Sequence, residues 1–454
     1  MDSISRFRFR LNDRIDLVFF SHFADLGVIL NSLWQLVFVL SVGFVSSLGG
    51  LNAGLDNGLL LTHSKELESK YFLTDGFLSF CSALMTFVGG VLGVIISEKK
   101  GRKLALYLSS FLLFCGSLFC LSSVKGLFLS GRVLNGIGVG VTFTVTQVYT
   151  TEISPDKYRG CLVSLFSLSL AIGQAVPDFL SIIGDVVGTQ FPWNQILYIS
   201  CVLPVCQCLT LLLLPESPKW DSKLELKTHL KNFFSQSLLP SILLTLLLTA
   251  IEMSVGVNAL TYLSTNFIND QPRGHSSANS LFTSFLGITG NLVATVFVDL
   301  VGRKRLFVAS LSSVLIELLL LGVFLKVESK QKIMPITLCI FYFYTVCSTV
   351  SSVVTAVLSV ELFPSTFTTL GLSFFEICKC LANIPTSLTM KPMMNVLGEG
   401  GYFFLCCGFL LSGIILVLVF LSETSGVPLE DIGNEGFHSQ GLKKFKEKLG
   451  SLFN

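Results

Sequence analysis

The chain has 454 residues, of which 51% are apolar and only 13% charged, with a mean hydropathy of +0.73. That balance excludes an ordinary water-soluble domain. A formal charge of +2, with no basic stretch interleaved with aromatic residues, also argues against a nucleic-acid partner.

Residues 1–32 read as a polar tail with Arg6, Arg8, Arg10 and Arg14 and no apolar core leading to a cleavage site, so no cleaved signal peptide is expected. Apolar blocks long enough to cross a bilayer follow at 33–60, 75–96, 104–122, 126–152, 160–188 and 194–214. A charged connection at 215–238 comes next. Its stretch 224–234 has apolar residues at helical spacing, which suits either a helix lying on the membrane face or a solvated linker helix. Six further blocks fall at 239–268, 276–298, 306–325, 334–361, 368–389 and 400–421, before a charged tail at 422–454. The predicted organisation is therefore a first bundle at 33–214, a linker at 215–238, a second bundle at 239–421 and two tails.

The two bundles are related. Gly101-Arg102-Lys103 recurs as Gly302-Arg303-Lys304, Glu152 as Glu361 and Glu216 as Glu423, each about 200 residues later. That offset accommodates six spans per half. The expected fold is an all-α membrane protein of twelve transmembrane helices in two six-helix halves, with a site near the membrane midplane between them. Of the 31 Lys and Arg, 21 fall in the tails and loops that share a side with the termini, so both termini are expected in the cytoplasm. Thirteen cysteines, among them Cys81, Cys115, Cys120, Cys206, Cys208 and Cys406 within apolar spans, read as free buried thiols. Five scattered His residues form no metal cluster, and no nucleophile–base–acid pattern is present, so neither a cofactor nor an enzyme is expected.

Further residues carry a family resemblance. Residues 131–140 (GRVLNGIGVG) run into 149–160 (YTTEISPDKYRG), followed by 215–220 (PESPKW), 254–262, 299–305, 360–364 and 422–426. The ordered set resembles the sugar porter family of the major facilitator superfamily. The resemblance implies a carrier working by alternating access, with Glu98, Arg102, Glu152, Arg159, Glu216, Asp299, Arg303, Glu361 and Glu423 as a charged gate at the cytoplasmic helix ends. Pairs at a wet membrane edge are worth about 1 kcal/mol each, so such a network biases an equilibrium without freezing it. Thr368 stands where the family has an Arg, which predicts a weaker second latch.

The resemblance also points to a central site. Its sugar-contacting positions correspond here to Ser167, Glu252, Met253, Gly287, Ser348 and Ala356, while Asn258 and Asn383 keep the family's amides and Lys379 replaces another. Gln174 and Tyr262 complete the expected substrate-binding set. Amides suit sugars because they both donate to and accept from hydroxyls; losing most of them leaves open a hexose, a polyol or a charged organic solute. Ser164, Ser167, Gln174 and Asp178 share one face of the fifth span, read as water-lined. Thr345, Ser348, Ser352 and Thr355 share one face of the tenth, which suits pocket lining or helix packing equally. Glu376 and Lys379 are three apart and either neutralise each other or serve function, and Glu317 is assigned to packing or a partner. Gly43, Gly49, Gly50, Gly54, Gly136, Gly138 and Gly140 suit close helix approach. Proton-linked relatives carry an Asp where Asn52 stands, which favours uniport, and Asp56 one turn later is the possible proton site.

The sequence thus implies a plasma-membrane facilitative carrier for a small polar, sugar-like solute in contact with the lipid bilayer. The alternatives are a carrier of the same fold for a charged solute, a proton symporter, and a membrane receptor or scaffold that no longer transports. No oligomeric state follows from the sequence.

Overall fold

The computed structural model describes residues 41–60, 62, 67, 70, 75–153, 159–187, 193–217, 232–235, 238–256, 273–326, 330–363, 367–421 and 423. Twelve long helices run through them: α1 (41–60), α2 (Asp75–Lys100), α3 (Arg102–Cys120), α4 (Lys125–Ile153), α5 (Arg159–Val187) and α6 (Trp193–Leu213), then α7 (Leu239–Ser254), α8 (Arg273–Val301), α9 (Arg303–Phe324), α10 (Lys330–Glu361), α11 (Thr368–Leu397) and α12 (Glu399–Phe420). Nine are long and apolar enough to span a membrane. Their outward faces expose Phe111, Tyr198, Leu212, Ile316 and Phe409, the surface a lipid-bathed bundle requires.

Most helix limits lie within a few residues of the sequence expectation. The seventh span was expected to run to 268; α7 ends at Ser254, and residues 257–268 of that expectation lie outside the described residues. Gly256 follows in a left-handed conformation (φ 78°), and the freed Val255 carbonyl accepts from the Tyr344 hydroxyl at 2.8 Å. The eleventh was expected to stop at 389. Instead α11 continues to Leu397 through Pro385, Pro392 and Lys391, because proline is tolerated in membrane helices and Lys391 sits near the helix end.

Each half has its own apolar core, centred on Val141, Val145, Tyr149 and Leu211 in the first and on Leu248, Leu311, Val314, Leu358 and Leu410 in the second. Close approach in the first half depends on missing side chains. A Cβ at Gly54 of α1 would collide with the Leu170 carbonyl of α5 and stand 3.0 Å from the Gly173 Cα. The halves meet along α5 against α8 and α10, and along α11 against α2 and α4. The two main contacts, α5 with α8 and α11 with α2, are exchanged by the internal repeat, so the boundary itself has twofold pseudosymmetry.

Of the linker stretch expected as a surface or solvated helix, only Asn232, Phe233 and Phe234 lie within the described residues. Phe233 is not solvated: it is 2% exposed and stacks on Phe363 at 5.4 Å, with Phe367 and Phe374 around it. The described cysteines are free, as their placement in apolar spans required, but Cys81, Cys115, Cys206 and Cys208 are half-buried on helices that lipid reaches, and only Cys120, Cys201, Cys406 and Cys407 are buried.

Candidate functional site

The two copies of Gly-Arg-Lys lie at corresponding helix starts. Gly101 and Gly302 precede α3 and α9 with φ 103° and 97°, a conformation only glycine adopts freely. A carboxylate presses against each, so that a Cβ would stand 2.8 Å from Glu216 Oε2 at Gly101 and 3.0 Å from Glu423 Oε2 at Gly302. These acids accept the orphan backbone donors of the helix start: Glu216 Oε1 from Arg102 N (2.9 Å) and Lys103 N (3.1 Å), and Glu423 Oε1 from Lys304 N (3.3 Å). The following lysines reach carbonyls, Lys103 that of Leu214 at 2.7 Å and Lys304 those of Leu418 and Leu421.

Arg102 clamps Glu152 with Nε and Nη2 at 3.1 Å each, and donates to Glu98 Oε1 and the Ser97 carbonyl at 2.8 Å each. Arg303 pairs with Glu361 at 3.1 Å. The expectation of ion pairs at a wet edge is corrected for the first half. Side-chain exposure is 4% and 1% for Arg102 and Glu152, against 12% and 17% for Arg303 and Glu361, because α2, α3, α4 and the end of α6 close around the first pair. Such a buried pair is costly to break from one side. The side chains of Arg159, Asp299 and Thr368 lie outside the described residues.

A second buried ion pair escaped the sequence reading. Arg132 of α4 donates to both oxygens of Asp56 on α1, at 2.7 and 2.9 Å, and Asn135 Nδ2 adds a third bond at 3.0 Å. Asn52, one turn earlier, donates to Gln207 at 3.1 Å. Both partners were visible as charges within spans; their pairing across 76 positions of sequence was not.

Between the halves lies a cavity of about 440 Å³. The first half contributes Gln147, Ser167, Gln174 and Asp178, and the second Glu252, Asn291, Ser348, Ser352, Glu376 and Lys379. Gly287 and Ala356, at expected sugar-contacting positions, also line it. Four of the expected substrate-binding residues besides Lys379 are therefore brought together: Ser167, Gln174, Glu252 and Ser348. Asn258 and Tyr262 lie outside the described residues. Asn383 does not line the cavity, since α11 carries it one turn, about 6 Å, beyond Lys379. Ser164 and Thr355 do not line the cavity either: both are packed inside the protein, and Thr355 donates to its own helix at Ser351, the packing alternative for the tenth span's stripe.

The charged centre of the cavity is shared between helices. Lys379 Nζ stands 3.3 Å from Glu376 Oε2 and 3.9 Å from Glu252 Oε1, so it is spanned by two carboxylates and not paired locally with one. Ser352 donates to Glu252 Oε1 at 3.1 Å, and Gln147 reaches across the halves to Glu376 Oε1 at 3.2 Å. Near the other end of the cavity, Asp178 of α5 accepts from Thr62 (2.8 Å) and from Ser284 of α8 (2.6 Å), a second tie across the boundary.

A bundle of two pseudosymmetric six-helix halves enclosing a polar cavity at their boundary is a membrane carrier of the major facilitator fold. A family model described as Sugar (and other) transporter matches residues 28–224 and again 221–435, and the chain belongs to that family. Among similar proteins, a probable inositol transporter 2 of Arabidopsis thaliana is 27% identical over 64% of this chain, which spans 59% of that relative's length. A probable metabolite transport protein, CsbC of Bacillus subtilis, is 25% identical over 90% of this chain and 97% of its own. The fold matches the proton:xylose symporter XylE bound to 6-bromo-6-deoxy-D-glucose with a TM-score of 0.74 at 20% identity, covering 88% of this chain and 99% of that one.

Proposed function

We propose that the chain is a facilitative uniporter of a small polyhydroxylated solute, a sugar or cyclic polyol, with both termini on the cytoplasmic side of the plasma membrane. The observation that carries this reading is the cavity itself. It lies on the boundary between the two halves, and its wall carries hydroxyls, amides and charged groups from both, which suits a small polar solute. Ser167, Gln174, Glu252, Ser348 and Lys379 hold the solute, and the likeness to the probable inositol transporter of Arabidopsis thaliana points the same way. The Arg102 and Arg303 clusters are the latches that each half presents at its gated end.

Uniport is supported by Asn52, an amide where a titratable acid would couple transport to protons. Reconstituted protein should equilibrate labelled myo-inositol or D-xylose across vesicles without concentrating either, whatever the pH gradient. A second reading, proton-linked transport through Asp56, is favoured by the buried Asp56–Arg132 pair, a titratable acid held on α1 by a helix of the same half. Uphill accumulation of substrate by the unmutated protein, driven by an imposed proton gradient and collapsed by a protonophore, establishes that reading. Absence of any uptake by surface-resident, folded protein establishes a receptor or scaffold instead.

A further inference from the structure

We infer that the solute bears an amine: the cavity is built for an amino sugar or amino polyol, recognised through its ammonium by Glu252. This rests on the carrier reading of the cavity and narrows its substrate class. The argument is one of hydrogen-bond supply. Many donors of the wall are spent within the protein, while Ser167 and Gln174 remain to meet the hydroxyls of the solute. Ser352 gives its proton to Glu252, Thr62 and Ser284 give theirs to Asp178, Gln147 donates to Glu376, and Asn291 donates to the Gly287 carbonyl at 2.8 Å. On α10, Thr345, Ser348 and Thr349 donate to the carbonyls of Phe341, Thr345 and Val346 of their own helix. A hydroxyl used in this way turns its lone pairs to the cavity and acts there as an acceptor.

Charge runs in the same direction. Among the described lining residues, Asp178, Glu252 and Glu376 are acids and Lys379 is basic. Lys379 is already shared between two of those acids, and the buried Glu252 Oε2 has no hydrogen-bond partner. Arg132 brings no relief, because its guanidinium is engaged by Asp56 outside the cavity wall. A neutral ring of hydroxyls offers one donor and two acceptor lone pairs per group and brings no positive charge to this excess of acids. An ammonium offers donors only, with a positive charge, and answers the excess of carboxylates among the lining residues, Glu252 included.

The test compares D-glucosamine, D-glucose and N-acetyl-D-glucosamine in mildly acidic buffer, using the full chain in proteoliposomes. Expected is at least tenfold greater uptake efficiency for glucosamine than for either neutral sugar, with Glu252→Gln lowering glucosamine uptake by a larger factor than it lowers glucose uptake and so removing that preference. A thermal-shift measurement on unmutated protein guards against a misfolded variant: glucosamine should raise the melting midpoint at concentrations where glucose does not. Glucose carried as well as glucosamine, with no selective stabilisation by the amine, overturns the inference and leaves the carrier reading standing. Transport of none of these sugars nor of myo-inositol overturns both.

Discussion

Asp56→Asn is nearly isosteric, yet it should be among the most damaging single changes in the first half. In the parent, Arg132 makes two charge-assisted bonds to Asp56, at 2.7 and 2.9 Å, with side-chain exposures of 4% and 7%. The amide keeps one acceptor and turns a donor toward either the guanidinium or Asn135, so a buried cation loses its counter-charge. Breaking such a pair from one side costs about 3–5 kcal/mol. Arg132→Met strands the carboxylate and should cost a similar amount. Replacing both, as Asp56→Leu with Arg132→Met, removes the desolvation problem together with the attraction and should return stability to within about 2 kcal/mol of the parent. The measurement is a double-substitution cycle on unfolding free energies in mixed detergent micelles, followed by circular dichroism. A coupling energy below about 0.5 kcal/mol, meaning losses that simply add, refutes the reasoning.

Three further outcomes follow from the geometry. Glu152→Ala should reduce net flux and surface expression more than Glu361→Ala, because the first clamp is the more buried; equal losses in a transport assay would show that burial does not rank the latches. Gly54→Val should abolish folded expression, since its Cβ would collide with the Leu170 carbonyl, whereas Gly408→Ala, with nothing within 4 Å, should be neutral by fluorescence-detected size exclusion. Epitope tags at residues 10, 225 and 440 should be reached only after cells are permeabilised, and a tag at 67 or 272 from outside; labelling at 225 in intact cells would reverse the orientation.

The helices were legible because a span declares itself by length and hydropathy, and the repeat of Gly-Arg-Lys with its distant glutamates gave the two halves. What the hydropathy of α7 and α11 could not convey was backbone conformation: a left-handed Gly256 ends one helix within an apolar run, and prolines fail to end the other. Stripes at helical spacing placed Ser167, Gln174, Ser348 and Ser352 on the cavity, yet spacing has no depth coordinate, so Ser164 and Thr355 at the ends of the same stripes miss it, as does Asn383 on α11. Partnerships were least legible. Asp56 with Arg132, Gln147 with Glu376 and Glu252 with Lys379 each join separate helices, and a single sequence does not say which faces meet. Glu317, assigned to packing or a partner, is buried on α9 and lines a second pocket with Cys339 and Phe343, apart from the central cavity.

The carboxylates that seal the starts of α3 and α9 come from the far ends of their own halves. Glu216 closes a helix that begins 114 residues earlier, and Glu423 does the same over 119 residues. During synthesis, the first turn of α3 therefore keeps unanswered backbone donors until the whole first half has been made, and only then does the last acid arrive to quench them. Each half becomes complete at its final residues. A chain cut short before Glu216 or before Glu423 carries all six helices of the half it interrupts and lacks that half's closing contact.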